Sequence, residues 1–227
     1  MSGEPSAHTA GKGGPGDGAE ELRHTHHQPG PSPLRIGVYG ALGRMGQMVV
    51  RCLLAPPESD AGRSPIPPPS LLLTVALASS RCPHLGHDIG PLCGASMTGV
   101  DVSCDLQAAL PLCDVVIDFS TPAATQVLTA AAVLAQVPLV IGTTGLQPAA
   151  LAAIGEAATQ IPIVRSANMS PGVNVLLGLL RRASRALSDY DAEIVEVHHR
   201  HKRDAPSGTA LLLAEAIKAG RATALEV

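Results

Sequence analysis

The sequence predicts an α/β fold in which helices pack on a parallel sheet, and three observations point to this class. Short apolar runs alternate with helical stretches from residue 34 to about residue 165. Hydrophobic residues make up 45% of the chain, yet it contains only two Tyr, one Phe and no Trp. Ala, Val and Leu must therefore fill the core, as is typical of buried parallel strands beneath crossover helices.

The predicted elements follow the repeated order of strand, helix and strand that parallel crossover connections require. Apolar runs predict strands over 34–39, 71–78, 114–119, 137–142 and 161–164. Helical stretches predict helices over 44–55, 105–110, 122–136 and 147–160. Thr121 and Pro122 fit the N-cap and the first turn of the helix over 122–136.

The pattern changes at Pro171, where a second domain is predicted to begin. Residues 172–189 indicate one long helix, and a final helix is expected to begin at Ser207 as its N-cap. Between them, residues 191–199 alternate polar and apolar side chains, which predicts a strand in a sheet with one open face. We therefore expect an α/β domain over 34–170 and the start of an α+β domain over 171–227.

Two segments lie outside this pattern. Residues 1–33 consist largely of Gly, Pro, Ser and His, and we predict a disordered tail because they cannot bury enough apolar surface to fold. The Pro-rich stretch 55–70 is incompatible with a helix or an inner strand, so it is expected to be a surface insertion.

Charge and cysteine content narrow the range of partners. A formal net charge of -3 gives no field that would recruit nucleic acid or a membrane surface. The five cysteines include no CxxC pair, and no apolar run is long enough to cross a bilayer. The N-terminal segment lacks the features of a signal or transit peptide. We therefore expect a cytoplasmic protein with reduced thiols.

A glycine-rich turn follows the first predicted strand and opens the first helix. Gly40, Gly43 and Gly46 lie there at GxxGxxG spacing. Glycines at such a turn let the backbone approach a pyrophosphate, and free N–H groups at the helix start face the anion. The motif alone also fits a plain tight turn. Its place after the first strand of an α/β pattern favours a Rossmann-like nucleotide-binding domain.

The loops after later strands are consistent with a ligand site at the carboxyl edge of this sheet. The second strand ends in Ser79-Ser80-Arg81, without the carboxylate that binds the ribose hydroxyls of NAD. Arg81 suits the 2′-phosphate of NADP or is a solvated loop cation, and the residues leave both possibilities open. The loops over 141–145 and 166–170, IGTTG and SANMS, lie at the same edge.

The stretch HHRHKRDAPSGTA, residues 198–210, concentrates three histidines, two arginines and a lysine before a Ser-Gly-Thr corner. Three histidines crowded into four positions do not converge on one ion, so we expect no metal. Nucleic acid is disfavoured because the chain has few aromatic rings for stacking. A small polyanion fits best, because cations attract it, helix N–H groups bind carboxylates, and His and Lys supply protons.

Five motifs together resemble the dihydrodipicolinate reductase family: GALGRMG, VIDFSTP, VIGTTG, ANMSPGVNV and E-x-HHRHKxDAPSGTA. They occur in matching order between residue 34 and about residue 220, and the last motif is highly specific. The resemblance implies an enzyme that reduces 4-hydroxy-tetrahydrodipicolinate (dihydrodipicolinate) to tetrahydrodipicolinate with NADH or NADPH. This reaction belongs to diaminopimelate and lysine biosynthesis. The dianionic substrate would account for the basic cluster.

The resemblance also implies roles for individual residues. His198 looks like the catalytic acid/base and Lys202 like the proton donor, while His199, Gly208 and Thr209 would hold the substrate carboxylates. The cofactor residues would be Gly40, Ala41, Leu42, Gly43, Arg44 and Met45 in the pyrophosphate loop, Ser80 and Arg81 after the second strand, Gly142, Thr143 and Thr144 beside the nicotinamide, and Ala167, Asn168 and Met169 over its ring.

Three features depart from the family pattern. Ser80 takes the place of an acidic residue, which favours NADPH at least as much as NADH. Met169 stands where family members carry an aromatic side chain, so looser packing on the ring is expected. The family continues beyond Val227, so we expect an incomplete, poorly ordered second domain and low activity, with the family's homotetramer requiring the missing part.

Two other functions remain open at this stage. A different enzyme on the same scaffold, such as an amino-acid dehydrogenase, would lack HHRHK before the Ser-Gly-Thr corner. A truncated, non-catalytic nucleotide-binding fragment is compatible with every motif. Substrate-dependent oxidation of NADPH by the purified protein separates the three.

Overall fold

A six-stranded parallel sheet forms the centre of the protein. The computed structural model describes residues 32–55, 70–198, 200 and 205–222, which all belong to one compact unit. Its strands are β1 (Leu34–Tyr39), β2 (Leu71–Leu77), β3 (Val102–Ser103), β4 (Val115–Asp118), β5 (Leu139–Ile141) and β6 (Ile163–Arg165). Their order across the sheet is β3-β2-β1-β4-β5-β6, and every pairing between neighbours is parallel.

Seven helices accompany the strands in the described part of the chain. They are α1 (Arg44–Leu54), α2 (Ile89–Leu92), α3 (Leu106–Ala109), α4 (Pro122–Ala135), α5 (Pro148–Ala157), α6 (Pro171–Ala186) and α7 (Gly208–Ala222), with a 3₁₀ turn at Leu110–Leu112. None of these helices is long and apolar enough to span a bilayer. The predicted tail over 1–33 and insertion over 55–70 lie almost entirely outside the described residues.

The strand order reverses between β1 and β4, and this reversal positions the site. The chain moves outward from β1 to β2 and β3, then returns to pair β4 with the other side of β1. In open parallel sheets the carboxyl ends on either side of such a reversal leave a crevice for ligands. The predicted Rossmann-like parallel sheet is therefore confirmed.

The hydrophobic core has two layers, one on each face of the sheet. One layer lies with α4 and α5 and includes Val75, Leu77, Val116, Leu128, Leu139, Ile141 and Ile154. The other lies with α1 and α2 and includes Ile36, Val38, Val50, Leu73, Ala76, Ile89 and Val102.

A register shift at Thr74 explains why Leu73 and Val75, which are two residues apart in β2, lie in opposite layers. Ile36 pairs with Leu73 and Gly37 with Val75, so the ladder skips Thr74, whose hydroxyl donates to the Leu112 carbonyl at 2.9 Å. One unpaired residue reverses the alternation of side chains along a strand.

Helices α6 and α7 pack closely against each other. A Cβ built on Gly220 would lie 2.0 Å from Ser184 Oγ and 2.4 Å from the Arg181 carbonyl oxygen. The Ser184 hydroxyl donates to the Leu180 carbonyl at 2.7 Å, so it satisfies its polar group within α6. Only glycine at position 220 permits this approach of the two helices.

The strand predicted over 191–199 is wrong for residues 191–198, which carry no regular secondary structure; His199 lies outside the described residues. A strand is stabilised by a neighbour that pairs with its backbone, and no strand of the described chain pairs with this segment. The Arg221 guanidinium donates to the carbonyl of Tyr190, the residue before this segment, and the Ser207 N–H donates to the Glu196 carboxylate within it.

Candidate functional site

The glycine-rich turn after β1 has a shape that larger residues could not adopt. Gly40 has a φ of +76°, and a Cβ there would lie 2.6 Å from the Phe119 carbonyl oxygen. A Cβ on Gly46 would lie 2.0 Å from the Gly40 carbonyl oxygen, so α1 packs directly on the turn. Gly43 is the N-cap of α1 and has an extended backbone. The turn therefore brings bare backbone to the crevice beside β1.

Some N–H groups of this turn donate to a backbone carbonyl, and others have no backbone acceptor in the described part of the chain. Those of Gly40 and Ala41 both donate to the Leu77 carbonyl, at 2.9 and 3.0 Å. Within the described residues, the N–H groups of Arg44 and Met45 in the first turn of α1 have no backbone acceptor. Free N–H groups at a helix start attract anions. The first turn of α1 is therefore suited to a phosphate.

Two cavities flank the turn at the carboxyl edge of the sheet. One, of about 820 Å³, lies towards β5 and β6, and the other, of about 780 Å³, lies towards β2. Gly43, Phe119 and Ser120 line both of them, so the cavities adjoin at the turn. Together they form a cleft across the point where the strand order reverses.

Nearly all predicted cofactor residues line this cleft. The cavity towards β2 contains Gly40, Leu42, Gly43, Ser80 and Arg81. The cavity towards β6 contains Gly43, Arg44, Met45, Gly142, Thr143, Thr144, Ala167, Asn168 and Met169. Ala41 differs from this group, because its side chain is fully buried in the core and lines neither cavity.

The cavity towards β2 carries one charged side chain among the residues described there, Arg81. Ser79, Ser80 and Arg81 are exposed at its mouth, and the Arg81 N–H donates to Ser79 Oγ at 3.3 Å. No carboxylate lines this cavity in the described part of the chain. Its electrostatic character therefore favours an anionic group.

Asp118, at the end of β4, is a buried residue whose hydrogen bonds hold the wall of the cleft, and it is not among the predicted site residues. Its side chain is fully buried and accepts hydrogen bonds from the N–H and hydroxyl of Ser120 and from the hydroxyl of Thr125. Thr143 Oγ1 accepts from the same Ser120 N–H at 3.1 Å. These bonds fix the turn that separates the two cavities. The motif VIDFSTP contained the signal, as a carboxyl followed closely by hydroxyl side chains.

Phe119 is the second residue of the cleft that the sequence analysis missed. It is the only Phe of the chain and lines both cavities. A Cβ on Gly142 would lie 2.1 Å from Phe119 Cε1, so the ring packs directly on the backbone of the predicted nicotinamide-side loop. An aromatic ring at this position separates the halves of the cleft with a rigid apolar wall.

The Ser-Gly-Thr corner lies against the β6 side of the cleft. Ser207 Oγ accepts from the Ala210 N–H at 3.1 Å, which confirms Ser207 as the N-cap of α7. The Asn168 side-chain amide donates to Thr209 Oγ1 at 3.0 Å, and a Cβ on Gly208 would lie 3.4 Å from that of Ala167. The structure therefore brings predicted substrate residues beside predicted cofactor residues.

His198 is paired with a carboxylate. Its Nε2 lies 2.8 Å from Glu196 Oε2, and the Ser207 N–H donates to Glu196 Oε1 at 2.8 Å. The hydrogen bond from His198, followed by those from Ser207, lowers the pKa of Glu196 to about 2. His198 lines neither cavity, and His199 and Lys202 lie outside the described residues. The described residues contain no cluster of His, Cys, Asp or Glu that could hold a metal ion.

The strand order, the glycine turn and the cleft at the reversal define a Rossmann-type α/β protein. The chain matches the family described as dihydrodipicolinate reductase, N-terminus, over residues 34–169, and its C-terminal counterpart over residues 172–226. It therefore belongs to the dihydrodipicolinate reductase family, as the motifs predicted.

Individual relatives agree with this membership. The 4-hydroxy-tetrahydrodipicolinate reductase of Anaeromyxobacter dehalogenans (strain 2CP-C) is 46% identical over 182 residues, covering 80% of this chain and 63% of the relative. That of Methylocella silvestris is 45% identical over 189 residues, covering 83% and 65%. The chain thus spans a little under two thirds of these relatives' length.

A solved structure supports the fold assignment. The dipicolinate-bound dihydrodipicolinate reductase from Paenisporosarcina sp. TG-14 is similar with a TM-score of 0.57 and 26% sequence identity. The similarity covers 83% of this chain and 67% of that one.

Proposed function

We propose that this chain carries the cofactor cleft and part of the substrate site of an NAD(P)H-dependent 4-hydroxy-tetrahydrodipicolinate reductase. The observation that carries the proposal is the contact of the Ser-Gly-Thr corner with the cleft, through Asn168 and Thr209. A substrate at that corner would lie beside a cofactor in the cleft. Family membership supplies the reaction.

The residues of the cleft fit a dinucleotide. A pyrophosphate needs close backbone approach and free N–H donors, and Gly40, Gly46 and the first turn of α1 offer both. The two adjoining cavities, of about 820 and 780 Å³, give separate spaces for the two halves of the cofactor. Arg44 and Met45 would hold the pyrophosphate, Arg81 the adenosine ribose or its 2′-phosphate, and the loops over 142–144 and 167–169 the nicotinamide. When bound, NAD(P)H supplies a hydride.

The protein's own contribution is orientation, charge and protons. The side chain of Asn168 and the loop after β5 would limit how far the nicotinamide enters the cavity. The ring of Phe119 would separate it from the other cavity. The first turn of α7 begins at Gly208 and offers backbone N–H groups to a carboxylate. The relative from Paenisporosarcina holds dipicolinate, a dianion, which supports a dianionic substrate for this chain.

The proton chemistry of the proposal rests on the family resemblance together with one pair in the structure. His198 would act as the acid/base, and its ring is held by Glu196 at 2.8 Å. Lys202 would donate the proton, and His199, Gly208 and Thr209 would bind the substrate carboxylates. We include in the proposal the division into a nucleotide domain over 34–170 and a substrate domain beginning at 171, and a homo-oligomeric state.

Substrate-dependent oxidation of NADPH, followed at 340 nm, tests the function. We expect low activity in the purified protein, and a further loss of about 100-fold or more in His198→Gln and in Lys202→Ala. NADPH binding should be unchanged in both variants, because neither residue is among the predicted cofactor residues and His198 lines neither cavity. NADPH binding without any turnover in the wild type would favour the alternative, a non-catalytic nucleotide-binding fragment.

A further inference from the structure

Glu196 joins two parts of the candidate substrate site through a single carboxylate. Its Oε1 accepts from the Ser207 N–H at 2.8 Å, and its Oε2 lies 2.8 Å from His198 Nε2. The two partners are different in kind, because one is the backbone at the start of α7 and the other is the predicted acid/base. One carboxylate oxygen therefore binds the start of α7, and the other binds the imidazole of His198.

The bond to Ser207 orients the carboxylate. A backbone N–H at a helix start can only donate, and the Ser207 side chain is almost fully buried, so this contact is held by the packing around the corner. A negative charge is also favourable near a helix N-terminus. The carboxylate is ionised at neutral pH, since the pKa of Glu196 is lowered to about 2.

An ionised carboxylate at Nε2 determines which nitrogen of a neutral imidazole carries the proton and which carries the lone pair. The carboxylate only accepts, so a neutral His198 must place its proton on Nε2 to make this bond. Its Nδ1 is then the nitrogen with a lone pair. A ring held in this way presents one defined nitrogen for proton exchange.

We propose that Glu196 is a positioning residue that holds His198 through Nε2 and so assigns proton transfer to Nδ1. This inference rests on the proposed function for the part that His198 plays in turnover. The competing explanation is that Glu196 serves only to cap α7, in which case the His198 tautomer would not depend on it.

The isosteric variant Glu196→Gln separates the two explanations. A glutamine must keep its amide oxygen on the Ser207 N–H, which leaves its NH₂ group facing His198 Nε2. The NH₂ group donates, so Nε2 must become the acceptor and the proton must move to Nδ1. The positioning proposal therefore predicts a change of tautomer, while capping of α7 is preserved.

¹⁵N spectroscopy of imidazole-labelled protein measures the tautomer directly, at a pH where His198 is neutral. We expect Nε2–H in the wild type, Nδ1–H in Glu196→Gln, and the wild-type pattern in Glu193→Gln, whose exposed carboxylate lies three residues earlier in the chain. We also expect kcat to fall at least 10-fold in Glu196→Gln with little change in the KM for NADPH. Nδ1–H in the wild type, or an unchanged tautomer in Glu196→Gln, would overturn the proposal.

The spectroscopic measurement does not depend on turnover, so the two failures are distinguishable. A changed tautomer in a protein without reductase activity would leave the positioning role intact and remove only the proposed function. Reductase activity with an unchanged tautomer would support the proposed function and remove the positioning role of Glu196. The wild-type spectrum alone tests the assignment of the proton to Nε2, even if Glu196→Gln does not fold.

Discussion

The side-chain amide of Asn168 donates a hydrogen bond of 3.0 Å to the hydroxyl of Thr209. Asn168 follows β6 in the cofactor cleft, and Thr209 lies in the first turn of α7. This bond is a direct polar connection between the proposed cofactor loop and the proposed substrate corner. The bond should therefore make the stability of the cofactor loop depend on that of the substrate corner.

A double-mutant cycle tests that coupling. Asn168→Ala and Thr209→Val should each lower the free energy of unfolding by about 0.5–1.5 kcal/mol, the usual net value of one hydrogen bond. The double variant should lose less than the sum of the two, because the same bond is removed only once. Urea denaturation measures all four proteins, and strictly additive losses would show that the bond does not connect the two elements.

The packing of α1 on the glycine turn predicts a strong effect of Gly46→Ala. The new methyl would meet the Gly40 carbonyl oxygen at 2.0 Å, so α1 must move away from the turn. We expect a loss of stability of about 1–3 kcal/mol, as for other overpacked sites, and NADPH binding weakened at least 10-fold.

Gly155→Ala is the matched control for Gly46→Ala. A Cβ on Gly155 in α5 would meet no atom within 4 Å, and alanine favours a helix by about 0.5–1 kcal/mol over glycine. This variant should therefore be slightly more stable than the wild type and bind NADPH normally. Equal behaviour of the two variants in thermal unfolding and NADPH titration would contradict the steric argument.

The buried carboxylate of Asp118 predicts that Asp118→Asn loosens the cleft. The carboxylate accepts from Ser120 and Thr125, and an amide in its place must turn one donor towards another donor. We expect a loss of about 1–3 kcal/mol in the free energy of unfolding, the cost of an unsatisfied buried group, together with weaker NADPH binding.

Asp105→Asn provides the comparison for Asp118→Asn. Asp105 caps α3 by accepting from the N–H groups of Gln107 and Ala108, and asparagine is an equally good N-cap. This variant should have nearly the stability of the wild type in the same denaturation experiment. A similarly small effect of Asp118→Asn would show that its hydrogen bonds do not organise the cleft.

Cofactor preference depends on Arg81. The cavity towards β2 has no described carboxylate to repel a 2′-phosphate, and Arg81 is its described cation. Arg81→Ala should weaken NADPH binding about 10-fold or more while changing NADH little, since a charge-assisted contact contributes about 1.5–3 kcal/mol. Calorimetric titration of both cofactors, with the exposed Arg182→Ala as control, measures this; equal effects on both cofactors would exclude contact with the phosphate.

Acid sensitivity follows from Glu196. The hydrogen bond from His198, followed by those from Ser207, lowers the pKa of Glu196 from 4.5 to about 2. A carboxyl whose folded pKa is depressed stabilises the protein fully above its unfolded pKa, and this contribution is lost as the pH falls through the folded pKa. Between pH 4.5 and 2, wild type should therefore lose more stability than Glu196→Gln, as measured by denaturation midpoints. Identical pH profiles would contradict the paired carboxylate.

Much of the fold could be predicted from the sequence because its signals are local. Apolar runs marked five of the six strands, and Thr121 and Ser207 were correctly predicted as N-caps, because capping depends on a side chain and the N–H group three residues later. Strand β3 has only two residues and α2 has four, so neither is long enough for a periodic pattern that would predict it. Pairing with β2 creates β3.

The wrong and missed predictions are those that depend on contacts which the pattern of apolar residues does not encode. The alternating pattern over 191–198 has the composition of a strand but no neighbouring strand in the described structure. Asp118 and Glu196 gain their importance from hydrogen bonds to Ser120, Thr125 and Ser207, and no pattern of apolar residues encodes such bonds. The glycine turn was easier to recognise, because its backbone requirement appears in the residue type itself.

Titration of NADPH into ¹⁵N-labelled protein, followed by backbone amide shifts, tests directly whether the cleft binds the cofactor beside the Ser-Gly-Thr corner. We expect one binding event to shift the amides of Gly43–Met45 in the turn, Ser80–Arg81 at the mouth and Ala167–Met169 beside α7, all with the same dissociation constant. Dipicolinate added afterwards should shift Ser207–Thr209. If saturating NADPH left the amides of Gly43–Met45 and Ala167–Met169 unchanged, the cleft would not be the cofactor site.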